Sequence, residues 1–229
     1  MKKLLEKKEN NRSFYFYKKE YLHILEEILK LNYEIIKEFK NDNRTYVAKI
    51  LINRKYYILK KIYNNKKLKK YFSFFKDGES LLTLKNVNFC REKGLNELLE
   101  VYGVVLERKN GIIVNEFFIM EYFEGKKATK DSELLKIIPV LDKIYLLKRF
   151  HGDCNPGNFI LDNQDNVKVL DTKLKRMIFG NYRQHYDLLT LMKHFNKNII
   201  YPYKKNIYYY LAFFIRKVRN LKNFLGRYL

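Results

Sequence analysis

Residues Thr45–Ile52 and 55–62 are apolar-rich runs dominated by Tyr, Val and Ile, with the polar pair Asn53-Arg54 between them. That pattern predicts two paired strands joined by a tight turn. A second pair, 101–106 and 112–122, flanks Lys109-Asn110-Gly111, a hairpin signal. Between the pairs, 81–93 reads as a helix closed by Gly94, a residue suited to the position after a helix end. Ahead of them, residues 18–30 read as a helix and a strand starts near Ile35. Further on, 133–150 sets Leu134, Ile137, Ile138, Leu141, Ile144 and Leu147 close to one helical face, with Lys148 snorkelling from it. Phe159–Leu161 and 167–170 are short strands around a turn at 162–166, and the remainder predicts helices. The order is an α+β chain with a β-rich first part, residues 1–122, and an α-rich second part, residues 123–229.

Composition narrows the classes. The 229 residues hold 47 Lys+Arg against 25 Asp+Glu, a formal charge of +22, with 47% apolar residues. That apolar share excludes a disordered chain and gives a sizeable core. The start, Met1-Lys2-Lys3-Leu4-Leu5, has no long apolar stretch, and the longest charge-free apolar run, 207–215, is too short to span a bilayer. Two cysteines, Cys90 and Cys154, make neither a disulfide framework nor a zinc pattern. The expectation is a soluble, cytoplasmic protein with an anionic partner. The charge is uneven: residues 43–76 carry 11 Lys/Arg and no acid, residues 188–229 carry nine and no acid, and the acids gather between. The rival reading of the excess is compositional, since an AT-rich genome inflates Lys, Asn, Ile and Tyr without any functional cause.

One segment carries chemistry: His151-Gly152-Asp153-Cys154-Asn155-Pro156-Gly157-Asn158-Phe159-Ile160-Leu161, followed by Val167-Lys168-Val169-Leu170-Asp171-Thr172. An Asp, an Asn five residues later, a strand, a turn, a strand and a second Asp form the catalytic skeleton of a protein-kinase-like fold. Phosphoryl transfer needs in-line positioning and cations on the phosphate oxygens. Asp153 is the candidate to orient an acceptor hydroxyl and take its proton. Asn158 and Asp171 supply hard oxygen ligands to Mg²⁺. Upstream, Lys60 ends the strand Tyr57-Ile58-Leu59-Lys60 and is the candidate to hold the ATP phosphates, its neighbour Lys61 pointing to the other face. The rival reading is a solvated basic strand, given the nearby Lys66, Lys67, Lys69 and Lys70. Phe118-Ile119-Met120-Glu121-Tyr122-Phe123-Glu124-Gly125 matches an interlobe linker, with the backbone of Glu121 and Phe123 on the adenine edge and Met120 lining the back. Asp187, in Tyr186-Asp187-Leu188-Leu189, is the candidate anchor of the catalytic-loop backbone. The architecture expected is two-lobed, with a β-rich N-lobe on the nucleotide side and a small α-rich C-lobe.

Across about residues 35–191 the chain resembles the lipopolysaccharide core heptose(II) kinase family. The matching pieces are Leu59-Lys60, Arg91-Glu92-Lys93-Gly94-Leu95-Asn96, Glu121-Tyr122-Phe123-Glu124-Gly125, Gly152-Asp153, Gly157-Asn158-Phe159-Ile160, and Asp171 followed by the 173–176 cluster. The resemblance implies ATP-dependent phosphorylation of an inner-core heptose of lipopolysaccharide at the cytoplasmic face of the inner membrane. Lys173, Lys175 and Arg176 are then candidate acceptor-binding cations. Departures exist. No Gly-rich loop covers the phosphates, and Lys40-Asn41-Asp42-Asn43-Arg44-Thr45 holds that place. Thr172-Lys173 follows the second Asp where Phe-Gly is usual. The helix acid that pairs with Lys60 is open between Glu79 and Glu92, with Asn86 on a comparable face.

At the C-terminal end, Ile207, Leu211, Phe214, Val218, Leu221 and Leu225 recur at helical spacing, with Arg216, Lys217, Arg219, Lys222 and Arg227 between them. Two readings stand side by side: a peripheral helix in an anionic membrane interface, and a C-lobe helix packing its apolar stripe on the core. No nucleic-acid module is legible, so a nucleic-acid partner is not expected. The alternatives to a sugar kinase are a small-molecule or protein kinase of the same fold and a membrane- or nucleic-acid-binding pseudokinase.

Overall fold

The computed structural model describes residues 2–64, 77–196 and 199–225. The chain is α+β and divides into two compact units, Met1–Phe123 and Glu124–Leu229. The four lysines of the rival basic-strand reading, Lys66 to Lys70, lie outside the described residues.

The first unit is built on a seven-stranded sheet. Its strands are β1 (Leu5–Glu9), β2 (Arg12–Phe16), β3 (Glu34–Asn41), β4 (Thr45–Ile52), β5 (Lys55–Tyr63), β6 (Val101–Lys109) and β7 (Ile112–Glu121). They run in the order β1-β2-β6-β7-β5-β4-β3, each pair antiparallel. Asn53 and Arg54 both take positive φ, 48° and 62°, the backbone that a two-residue hairpin turn demands. Helix α1 (Tyr21–Leu29) buries Tyr21, Leu25 and Ile28 with Ala48, Ile50, Tyr57, Leu59 and Ile119 of the sheet. Helix α2 (Glu79–Glu92) packs on β6 and β7 and ends at Gly94, whose φ of 91° suits the left-handed exit.

The β1–β2 hairpin was not anticipated from sequence. Its first strand, Leu-Glu-Lys-Lys-Glu, is polar, and only Phe14 and Phe16 of the second strand are buried. With so few apolar positions, period two is not readable. The strand forms because β2 pairs with β6 and offers β1 an edge.

In the second unit the single helix expected over 133–150 is two helices, α3 (Asp131–Leu135) and α4 (Ile137–Leu146). Pro139 accounts for the break. It has no N–H, and its ring collides with the carbonyl four residues back, at Leu135, so the helix restarts with Pro139 in its first turn. Lys148 takes a left-handed φ of 55° and turns the chain into β9 (Arg149–Phe150) instead of continuing a helix. A short sheet pairs β8 (Lys126–Lys127), β10 (Phe159–Leu161) and β11 (Val167–Val169), and β12 (Lys175–Arg176) pairs with β9. Helices α5 (Tyr182–Met192) and α6 (Ile207–Leu225) complete the unit. Arg227 and the side chains of Lys222 and Leu225 lie outside the described residues.

Candidate active site

The candidate catalytic segment begins where β9 ends. His151 is fully buried, its ring tilted against that of Phe159 with centroids 4.9 Å apart. Its Nδ1 accepts the backbone N–H of Asp153 at 3.3 Å. Burial drives the imidazole pKa down from 6.5 to about 4, although the nearby Asp171 charge opposes this. A ring held neutral, with one nitrogen on the backbone, braces the loop.

Asp187, on α5, is 1% exposed. One carboxylate oxygen accepts the N–H of His151 at 2.7 Å and the other accepts the N–H of Gly152 at 3.0 Å. Burial pushes its pKa up from 3.8 to about 7, and those two donors pull the other way. Gly152 sits at φ 88°, a backbone open to glycine at little cost, and it is this turn that lets two successive N–H groups meet one carboxylate. Thr172, also buried, closes the far side: its hydroxyl donates to the carbonyl of His151 at 3.1 Å. Thr172 and the double contact to Asp187 therefore grip the peptide units on both sides of the loop start. Thr172 had no signal in the sequence beyond standing where Phe is usual.

Asp153 itself is exposed at its side chain and fixed at its backbone. Its carbonyl accepts from the Asn158 amide at 2.8 Å and from the Asn155 N–H at 2.9 Å. Residues Pro156–Asn158 form one 3₁₀ turn, capped by the Asn155 side chain on the Gly157 N–H at 3.0 Å. The β10–β11 ladder then continues by one bond, Leu170 N–H to Asn158 carbonyl at 2.9 Å, which sets Leu170 opposite Asn158 with Asp171 the next residue along the chain. Because the Asn158 amide nitrogen is committed to Asp153, its carboxamide oxygen is the atom left for a cation. Asp171 is exposed. Among the described residues no group of three or more His, Cys, Asp or Glu could hold a metal. An Asn–Asp pair suits a hard cation that draws its other ligands from phosphate and water. Lys173, Lys175 and Arg176 follow on the exposed side, with Lys175 opposite Phe150 and Arg176 opposite Arg149.

Lys60, Met120, Glu121 and Phe123 belong to the first unit. Lys60 stands on β5 opposite Phe118, on the face away from the α1 core, and Lys61 points to the other face over Phe117. On the Lys60 face, one diagonal step along the β5–β7 ladder, lies Glu116, opposite Ile62 and 3% exposed. Its carboxylate accepts the Ser80 N–H at 2.8 Å in the first turn of α2 and the Asn64 amide at 3.1 Å. Gly78 makes this possible, since a Cβ there would come within 2.7 Å of a Glu116 oxygen. Glu116 thus replaces the side-chain cap that Gly78 cannot provide. Sequence reasoning missed it, looking for the acid on the helix. Of the helix candidates, Glu79 stands at this end of α2. Glu92 lies about 20 Å further along the helix axis. There it accepts the Lys2 N–H at 2.5 Å and lines a polar pocket of about 240 Å³ with Tyr17, Lys18, Arg91 and Glu100. Met120 is buried at the end of β7, and the Glu121 N–H is engaged by the Glu100 carbonyl at 2.8 Å. Where a Gly-rich loop is usual, the β3–β4 turn is closed by Asp42, which accepts the N–H groups of Arg44 and Thr45 at 2.8 Å each.

Over residues 3–227 the chain matches the family described as lipopolysaccharide core biosynthesis protein (WaaY). It is 30% identical over 212 residues to the lipopolysaccharide core heptose(II) kinase WaaY of Escherichia coli (strain K12), with 87% of each chain covered. A second Escherichia coli lipopolysaccharide core heptose(II) kinase WaaY is 29% identical over 174 residues, 70% of this chain and 74% of that one. The serine/threonine-protein kinase Nek2 of Mus musculus is 26% identical over 122 residues, 44% of this chain and 27% of its own length.

Proposed function

The chain belongs to the WaaY family of lipopolysaccharide core biosynthesis proteins, and from that premise we propose that it is a kinase that transfers phosphate from ATP to a heptose of the lipopolysaccharide inner core. The observation that carries the reading is the loop of Asp153. Its N–H is held by His151, its carbonyl by Asn155 and Asn158, and the preceding two N–H groups by Asp187. A backbone so constrained, under an exposed carboxylate, is built to aim that carboxylate.

Asp153 holds the acceptor hydroxyl and takes its proton as the sugar oxygen bonds to phosphorus and the bridging oxygen leaves with ADP. When bound, ATP supplies the phosphoryl group and Mg²⁺ neutralises charge on its oxygens. Asn158 and Asp171 offer the oxygen ligands for the ion. Lys60 supplies positive charge for the phosphates. With the Glu121 N–H engaged, adenine contacts fall to the Glu121 carbonyl and to Phe123, against Met120. Lys173, Lys175 and Arg176 suit a phosphorylated core sugar. Asp187 is a positioning residue that acts through the His151–Gly152 backbone. No described helix is long and apolar enough to cross a membrane, and we place the protein at the cytoplasmic face of the inner membrane as a peripheral component.

The test is Asp153→Ala assayed with ATP, Mg²⁺ and core oligosaccharide. The product gains about 80 Da per phosphate and the rate of the variant falls about a thousandfold. A variant that keeps the wild-type rate overturns the assignment.

A further inference from the structure

Helix α6 is turned the wrong way round for a core helix. Its inward face is Ala212, fully buried, with Tyr209 and Arg216 beside it. Arg216 donates to the Leu189 carbonyl, in the last turn of α5, where helix carbonyls lack partners and a cation is favoured. Arg219 adds a bond to the Tyr186 hydroxyl at 2.9 Å. With that side occupied by α5, the apolar stripe faces outward. Ile207, Tyr210, Leu211, Phe214, Val218 and Leu221 fall within an arc of about 100° at 100° per residue. All six are exposed, Ile207 at 78% and Phe214 at 63%.

A second apolar projection adjoins the first turn. Ile178 and Phe179, in the loop between β12 and α5, are 79% and 71% exposed. The next residue, Gly180, has φ 47° and lies flat against the Tyr208 ring, where any Cβ would collide with it. The loop tip and the helix are therefore joined as one surface. Cations border it: Lys204 and Lys205 precede the helix, Lys217 flanks the stripe, and Lys175 and Arg176 precede the loop tip, all exposed.

We propose that the outward face of α6, with Ile178 and Phe179, is an interfacial docking surface that seats this protein on an anionic phospholipid bilayer. The choice of occupant follows from charge. Residues 188–229 hold nine cations and no acid, so a second copy on this face sets like charge against like. An anionic lipid surface takes both components, the apolar side chains below the headgroups and the cations among them. No described helix is long and apolar enough to cross, so α6 lies in the plane. The inference rests on the reading of the acceptor as a lipid-anchored sugar. It gives that reading a geometry, since Lys175 and Arg176 stand three and two residues before the inserted loop tip.

The chain contains no tryptophan, so one introduced residue reports alone. Phe214→Trp and Phe179→Trp, titrated with vesicles of phosphatidylglycerol and phosphatidylethanolamine, are expected to shift their emission to the blue. Phe39→Trp, on the exposed strand β3, is expected to stay unchanged. The Phe214→Asn/Val218→Asn double variant is expected to lose about tenfold or more in partitioning onto these vesicles. Phosphatidylcholine vesicles, or high salt, weaken wild-type binding by about tenfold as well. An unshifted Phe214→Trp, undiminished binding of the double variant, or a dimer in sedimentation velocity that the double variant abolishes, overturns the proposal. Assay of the double variant on deacylated, water-soluble core oligosaccharide separates the two readings. Phosphorylation at the wild-type rate with vesicle binding lost supports both. Wild-type vesicle binding through this face without any phosphorylation sinks the kinase and keeps the surface.

Discussion

Two regions of the second unit invert the usual rule of apolar inside and polar outside, in opposite senses. The loop around Asp153 buries His151, Thr172 and Asp187 and bonds each to backbone groups, leaving only the His151 Nε2 of these three side chains without a partner. Helix α6 exposes a full stripe of Ile, Leu, Val, Phe and Tyr while burying an alanine and enlisting an arginine as a helix cap. Helix α1, with equally regular spacing, does the ordinary thing and buries Tyr21, Leu25 and Ile28. Buried polar groups stabilise one backbone conformation against alternatives, whereas exposed apolar groups contribute little to the isolated fold and await another phase. The first inversion therefore belongs to positioning and the second to docking, and stability measurements separate them.

The largest effect is expected at Asp187. Asp187→Ala leaves the N–H groups of His151 and Gly152 without their acceptors in a buried place, and the expected loss is about 3 kcal/mol in urea unfolding. The same variant is expected to lose kinase activity even where it is folded, with Asp187→Asn intermediate because its amide oxygen still accepts one of the two. An Asp187→Ala protein as stable as wild type would mean that the loop is held by something else, and the contrast with α6 would weaken.

A smaller effect is expected in the pH dependence. Folded His151 stays neutral down to about pH 4, while its unfolded value is 6.5. Between these the unfolded chain takes up a proton that the fold refuses, so stability falls as pH falls. Asp187 has the opposite sign. Its folded carboxyl keeps its proton up to about pH 7 against 3.8 unfolded, so stability falls as pH rises through that window. The two slopes oppose each other where the windows overlap. Asp187→Asn removes one of them, and from pH 6.5 to 4.5 the variant is expected to lose about 2 kcal/mol more than wild type. Urea unfolding at both pH values, without nucleotide or divalent cation, reads the difference. Equal losses would mean that the Asp187 carboxyl is already ionised in the folded state across this window.

Much of this was legible in the sequence, and the rest failed for specific reasons. Strands β4, β5, β6 and β7 announce themselves because they are rich in Tyr, Val, Ile and Phe and their turns need Asn or Gly. The spacing of Asp153, Asn158 and Asp171 is local, carried by one 3₁₀ turn and one hairpin, so it survives without tertiary knowledge. Glu116 was invisible because its meaning depends on Gly78 and Ser80, more than thirty residues away and brought to β7 only by folding. The split of α3 from α4 was readable at Pro139, but apolar periodicity across the break masked it. For α6 the periodicity is correct, yet spacing states only that a stripe exists. Which way it faces was decided by α5, through Leu189 and Tyr186.

The smallest expected effect is the most exacting for the comparison. Phe214 is exposed and stands opposite Ala212 on the helix, so Phe214→Ala removes atoms that touch mostly water. A buried phenylalanine cut to alanine loses about 3–5 kcal/mol. At an exposed site the expected change is within about 0.5 kcal/mol, and alanine's better helix propensity offsets part of it. Urea unfolding with its slope measured checks this, because an unchanged slope certifies that the same surface is exposed on unfolding. A loss above about 1 kcal/mol would mean that the stripe packs against the protein in solution. Helix α6 would then be an ordinary core helix like α1, and the exposed face that the docking surface requires would not exist.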